Sequence, residues 1–331
     1  MYAARPLVLK ATGGEIWKNS AYFTQTLLKD YVEDFAPDWR LVWDARGHLR
    51  EPHTGRTIGL GGLEVMKYVE SWTNGKFEAT PKSTIPAKLQ TKGPHLRFGA
   101  ALFIEKEGFD EILRDAGLEE RYDLAIFSSK GLPIKAVFDV ARPLHHCGIK
   151  ILVAHDFDLA GFKIARTMRQ GTRLTSGVPI IDIGLRLPDI EGLDSEPVDY
   201  SQQKDPRPYL RRCGATEEEA AFLVQTGDRR GWAGDRVELN AMTSEELIDW
   251  LERKLDEHGV GKVIPDREEL SRAYQRAVFR KELESAAVKI ASRLPKVDVP
   301  DDLPDRVKRY LDEYPEASWD EAVVEILADE D

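Results

Sequence analysis

Between Ala101 and Ile183, short apolar runs alternate with amphipathic stretches, and that alternation leaves few folds open to the chain. Strands are predicted at Ala101–Glu105, Leu124–Ser128, Ile149–Ala154 and Val178–Ile183. Helices are predicted at Phe109–Ala116, Pro133–Arg142 and Leu159–Gln170, with Pro143 ending or kinking the second. Strands this apolar, joined by helices, form a parallel sheet covered on both faces, so the expected class is α/β.

The flanks read differently. Ala21–Tyr31 has the helical spacing of Phe23, Leu27 and Leu28. Leu41–Leu60 suggests a hairpin wing, with strands at Leu41–Trp43 and Thr57–Leu60 and turns near Gly47 and Pro52–Gly55. Arg40, Arg46, Arg50 and Arg56 cluster there, either as phosphate contacts or as ordinary surface arginines. Residues 74–98, rich in Pro, Gly, Thr and Lys, read as a linker. Further on, helices are expected at Thr216–Gln225 and Met242–Glu257, and from Asp266 to about Leu294. The spacing of Thr243 and Glu246 is that of a capping box, and Asp266 and Glu269 repeat it. The apolar period of the long helix breaks between Ala277 and Leu283, which predicts a bend or a change of face. Two acidic helices follow, near Asp305–Glu313 and Trp319–Leu327. The expected domains are 1–95, 96–262 and 263–331.

Charge and composition narrow the partners. The net charge of −11 is uneven: residues 1–100 carry +4, 101–200 carry −5 and 201–331 carry −10. Only the first third offers a positive face to a polyanion. No apolar run approaches the roughly 20 residues that span a bilayer, so no membrane partner is expected. The opening MYAARPLVLK lacks a signal-peptide core. Cys147 and Cys213 have no metal-type spacing, which argues against zinc and fits a reducing cytoplasm.

Three carboxylates fall at predicted strand ends. Glu105 closes the first strand, and Asp156 and Asp158 follow the third, in HDFD. If those strands are neighbours, all three reach one edge of the sheet, where α/β proteins bind ligands. Acids so grouped raise one another's pKa values unless a cation neutralises them. Mg2+ suits them, being a hard ion held by one or two carboxylates and a substrate phosphate. Two alternatives stand beside this: Asp158 as a helix N-cap, and Glu105 paired with Lys106 or Lys130. His155 could touch DNA or metal. His145 and His146 read as partners of a helix C-terminus.

These motifs resemble the Toprim domain of topoisomerases, primases and related nucleases. Within that group they resemble the A subunit of DNA topoisomerase VI and the meiotic double-strand-break proteins. FIEKEGF resembles the family's VEK-type strand, and Ser128–Arg142 its GKGxP segment. DFDLAGFKI resembles DxDPxGxxI, with Leu159 in place of proline. GLRLPD (184–189) and RVELNAM (236–242) resemble two further elements, and the similarity covers about residues 1–255.

The resemblance implies a Toprim-type sheet, a partial winged-helix N-terminal region and a helical C-terminal tail. It implies Mg2+ held by Glu105, Asp156 and Asp158, and a catalytic tyrosine, for which the match is Tyr2. In the family that tyrosine sits in an R-(D/E/Q)-x-Y-Y context on a winged-helix domain. The start at Met1 leaves out the upstream Arg and most of that domain, so the expectation is a displaced start, a truncation or a reduced form. Arg46, Arg50, Arg56, Lys130 and Arg142 are the expected DNA contacts. The implied partners are double-stranded DNA, a second copy in a homodimer and a separate GHKL-type ATPase B subunit, since the chain has no Walker-type loop. The implied location is the cytoplasm, at the nucleoid. A Toprim nuclease using metal-activated water, and a non-catalytic DNA-binding subunit, remain the rival readings.

Overall fold

A strand buried on both faces needs apolar residues along its whole length, and Ala100–Ile104 and the run from Ile151 to Ala154 supply them. The computed structural model describes residues 10–11, 22–35, 47–60, 62–73, 93–105, 107–129, 133, 135–200, 204–225, 231–293 and 298–329. It divides into two compact units, one of Met1–Leu41 with Gln90–Pro265, the other of Val42–Leu89 with Asp266–Asp331.

In chain order, a π-helical turn at Phe23–Leu27 leads into α1 (Leu28–Phe35). The second unit begins with β1 (His48–Arg50), paired antiparallel with β2 (Thr57–Gly59), and α2 (Gly62–Thr73). The hairpin's first strand therefore follows Gly47, where a turn was expected, and the strand expected at Leu41–Trp43 lies outside the described residues. Glu51 anchors the hairpin to α2, accepting from the Tyr68 hydroxyl at 2.5 Å, while Ile58 is buried.

The main sheet lies in the first unit. Its strands are β3 (Ala100–Ile104), β4 (Leu124–Ser128), β5 (Lys150–Ala154) and β6 (Ile181–Asp182), parallel and in the order β4-β3-β5-β6. Between β3 and β4 lie α3 (Asp110–Asp115) and α4 (Leu118–Tyr122). α5 (Lys135–His146) leads to β5, and α6 (Leu159–Gln170) leads towards β6.

Successive side chains of a strand point to opposite faces. Ala100, Leu102, Ile104, Leu152 and Ala154 therefore join Leu113 and Leu118 in one cluster. Ala101, Phe103, Ile151 and Val153 join Val137 and Phe138 of α5, with Ile164 and Met168 of α6, in the other. Each fully buried Leu, Ile or Phe contributes roughly 1.5–3 kcal/mol. The chain steps one way from β3 to β4 and back the other way to β5, so right-handed crossovers put the connecting helices on opposite faces.

Two expectations need correction. α5 does not stop at Arg142 but runs through Pro143 to His146. The proline lacks one N–H, yet the next residue, Leu144, still packs on the second cluster and carries the helix one turn further. Of the strand expected at Val178–Ile183, only Ile181 and Asp182 form a ladder with β5. The flanking backbone bonds irregularly, Val178 N–H to the Met168 carbonyl and Leu185 N–H to the His155 carbonyl.

The first cluster extends into a second layer. It is built from β7 (Glu196–Asp199), α7 (Arg207–Cys213), α8 (Glu217–Leu223), β8 (Ala233–Arg236) and α9 (Ser244–Glu257), with β7 antiparallel to β8. Thr243 forms the expected capping box with Glu246, and Thr216 forms a further one with Glu219. The second unit resumes with α10 (Arg267–Ala291), capped by Asp266, then α11 (Leu303–Glu313) and α12 (Trp319–Ala328). α10 is continuous and none of its residues is buried. Its apolar residues change face: Phe279 lies nine residues, two and a half turns, beyond Leu270. Among the described residues no helix is long and apolar enough to cross a membrane.

Candidate metal centre at the switch point of the sheet

In an open parallel sheet the loops leaving two adjacent strands part where the order of connection reverses, and ligands bind in the crevice so formed. Here that point falls between β3 and β5. Ile104 is in register with Ala154, so Glu105 and His155 are the first residues beyond two neighbouring strands. The structure thus brings Glu105 and the D-x-D segment to the same edge.

The turn carrying the aspartates is held from both sides. Phe157 exchanges two backbone hydrogen bonds with Val237, at 2.8 and 3.1 Å. Asp156 is 3% exposed, and its Oδ1 accepts from the Leu239 N–H at 2.8 Å. Both partners belong to the RVELNAM segment, which therefore aims the first aspartate. Asp158 is the N-cap of α6, its Oδ1 accepting from the Gly161 N–H at 2.6 Å. Asp158 also faces a charged neighbourhood. Burial and then the Asp158 carboxylate push the Tyr200 phenol up to about 12, with Arg236 opposing. Arg236 in turn binds Glu196 at 2.9 Å and Glu238 at 3.1 Å.

His155 points inward. It is 0% exposed, with Nδ1 2.7 Å from the Asp156 carbonyl and Nε2 3.1 Å from Asp182 Oδ1. Two glycines make room for the ring. A Cβ on Gly161 would lie 2.5 Å from His155 Nδ1, and one on Gly184 would lie 2.2 Å from Nε2. Those are the glycines of DLAG and GLRLPD, so both motifs are needed to seat this histidine. Asp182 also accepts from Arg169 at 2.9 Å and Arg186 at 3.0 Å. Burial alone would raise the Asp182 carboxyl. The His155 bond and charge, Arg186 and the Gly184 N–H outweigh it and hold the group well below the usual carboxylate range.

Tyr2, Arg46 and Lys130 lie outside the described residues. Arg50 and Arg56 are on the hairpin of the second unit, with Arg56 over the Tyr68 ring at 4.9 Å. Arg142 sits two turns into α5, donating to the Phe138 carbonyl and Asp139. His145 and His146 occupy the last turn of α5. The Asp182–Arg169–Arg186 group was missed in the sequence reading, and the nearest signal for it was Gly184, which opens GLRLPD directly after the short strand.

Among the described residues no three His, Cys, Asp or Glu side chains converge as a complete metal cage. Mg2+ does not require one, since it keeps several waters and takes one or two carboxylates with substrate phosphate. The donor chemistry fits such an ion: hard carboxylate oxygens on adjacent strand ends, with two of the acids oriented by backbone N–H groups. No protein-family model matches the chain, and no curated protein is significantly similar to it.

Proposed function

We propose that this chain cleaves and religates DNA in the manner of a type IIB topoisomerase A subunit, with Glu105, Asp156 and Asp158 as the Mg2+-binding acids of a Toprim-type domain. The observation that carries the reading is the placement of Glu105 and the D-x-D segment on adjacent strand ends at the switch point. Two carboxylate motifs, some 50 residues apart in sequence, leave adjacent strand ends at the edge where a phosphate ligand would enter.

In this reading the Tyr2 hydroxyl attacks a DNA phosphorus, the bond to the 3′ oxygen breaks, and a 5′-phosphotyrosyl link forms. A bound Mg2+ would supply charge neutralisation for the phosphate and the leaving oxygen. The protein's own residues set the geometry. Leu239 N–H and Gly161 N–H fix one oxygen each of Asp156 and Asp158. His155 holds the Asp156 carbonyl from below, and the Asp182–arginine group holds His155. The same site run backwards reseals the strand. A homodimer and a separate ATPase subunit complete the assembly that strand passage needs.

Cleavage of supercoiled plasmid with Mg2+ tests the reading. Glu105→Gln and Asp156→Asn should each lower the rate by about 100-fold or more, the scale of losing several kcal/mol of transition-state charge stabilisation. Unchanged rates in both would end it. Tyr2→Phe separates the chemistries: a covalent mechanism loses cleavage, whereas a water-using nuclease keeps it.

A further inference from the structure

Basic residues that could guide DNA to this edge are carried by the first unit itself, on α6 and on α7. α6 begins at the Asp158 cap, and from Leu159 through Gly177 the chain carries Lys163, Arg166, Arg169 and Arg173 with no acidic residue. α7 packs against α6 and adds Arg207, Arg211 and Arg212, with Lys204 just before it. This is a local excess of positive charge in a chain of net charge −11.

Several of these cations have assigned partners, and they sort the patch. Arg169 is committed to Asp182, Arg207 to Asp205 and Arg211 to Glu217. Arg166 and Arg212 are placed differently. Both lie over the Tyr209 ring, at 5.4 and 5.6 Å from its centroid, and neither has a carboxylate partner among the described residues. Arg166 is further steadied by Gln170 at 3.0 Å. Two guanidinium groups stacked on one tyrosine are held in place without being neutralised, which suits phosphate binding.

The loop after α6 is tied by its own hydrogen bonds and presents its tip outward. Thr172 N–H donates to the Thr175 carbonyl at 2.9 Å, the two threonine hydroxyls lie 2.9 Å apart, and Leu174 N–H donates to Thr172 Oγ1 at 3.1 Å. A Cβ on Gly171 or Gly177 would come within 2.2 Å of backbone, so the loop closes on itself tightly. At its tip are Arg173 and Leu174, and Leu174 is 84% exposed. An apolar side chain beside a basic one on a fixed loop is the arrangement that proteins insert into the minor groove.

We infer that α6, its following loop and α7 form a docking surface for duplex DNA, with Arg166, Arg173 and Arg212 on the phosphate backbone and Leu174 against a groove. The surface rests on the reading that the chain acts on DNA, and it names where the duplex lies. α6 is about 18 Å long, so the track from Asp158 covers about five base pairs. The duplex would run along α6 towards the acids at its N-terminal end.

Binding of a fluorescent 30-base-pair duplex by the full chain in EDTA, across a salt series, tests this apart from cleavage. The triple variant Arg166→Gln, Arg173→Gln, Arg212→Gln should bind at least about tenfold more weakly, with the slope of log K against log salt reduced by about 2.7 for three lost contacts. The corresponding triple Lys variant should keep the slope, which separates lost charge from misfolding. Leu174→Ala should weaken binding severalfold and leave the slope unchanged. Glu105→Gln should bind as wild type while losing cleavage. If wild type binds and the Gln triple binds equally well with the same slope, the surface is refuted and the cleavage reading survives. If wild type binds no duplex, both fall. Binding to vesicles with anionic lipid that depends on these arginines, with duplex binding unchanged, would assign the patch to a membrane and overturn the inference.

Discussion

Asp182 is the residue on which the interior of the site depends. It joins His155, Arg169 and Arg186, and it lies in the first unit beneath the edge that carries the acids. Its folded-state pKa is depressed, so its contribution is fully present above the ordinary carboxylate value and is lost as pH falls below it towards the folded value. Asp182→Asn should therefore cost about 2–3 kcal/mol at pH 7, the lower end for removing one member of a buried charge group, because both arginines can turn to water. At pH 3 the gap between variant and wild type should narrow. Urea unfolding of the two proteins at both pH values checks this, and a gap of constant size would refute it. None of this was legible from residue types. Asp182 is one acid in a two-residue strand, and His155 beside two aspartates left contact with DNA or metal open. Burial turned that histidine inward.

At the scale of elements the sequence was most informative where strands are buried on both faces. β3, β4 and β5 lie within a residue of their expected bounds, because their apolar runs are continuous and polar residues fall only at their ends, Lys150 in β5 and Ser128 in β4. Caps were equally legible: Thr216, Thr243 and Asp266 all cap the helices they were expected to begin. Edges were not. β6 pairs on one side only, and its apolar run from Val178 continues past the short ladder because that backbone also serves α6 and His155. α5 defeated the local rule against proline because tertiary packing of Leu144 outweighed one missing bond. That cost remains in the fold. Pro143 is exposed, so Pro143→Ala should restore the bond to the Asp139 carbonyl without creating a cavity. It should stabilise the protein by about 1–2 kcal/mol, since an interior proline costs about 3 and its stiffening of the unfolded chain returns about 1. A lower urea midpoint for the variant would contradict this account.

For the whole molecule, the resemblance to topoisomerase VI A subunits implies that in the proposed homodimer the tyrosine of one copy serves the acids of the other. Mixing two inactive forms tests it. A heterodimer of Tyr2→Phe with Glu105→Gln has one site with both defects and one with neither, so co-expression should recover nicking of one strand but not double-strand cleavage. Plasmid converted to open circles, with little linear product, is the expected gel. No recovery from a verified heterodimer would place nucleophile and acids in the same copy. The division into two units also governs the order in which the molecule is completed. The second unit pairs residues 42–89 with 266–331, so its first segment must wait for 242 further residues. At about 5–20 residues per second that delay on the ribosome is about 12–50 s. Late in that interval, once residues 237–239 have been made, the sheet and its acids can close around β3 and β5 while the hairpin still lacks its helical partners. The nascent chain therefore acquires its candidate catalytic edge before the segment that follows Asp266 has been made, and slowing synthesis beyond Pro265 should trap a folded first unit attached to an unfinished second one.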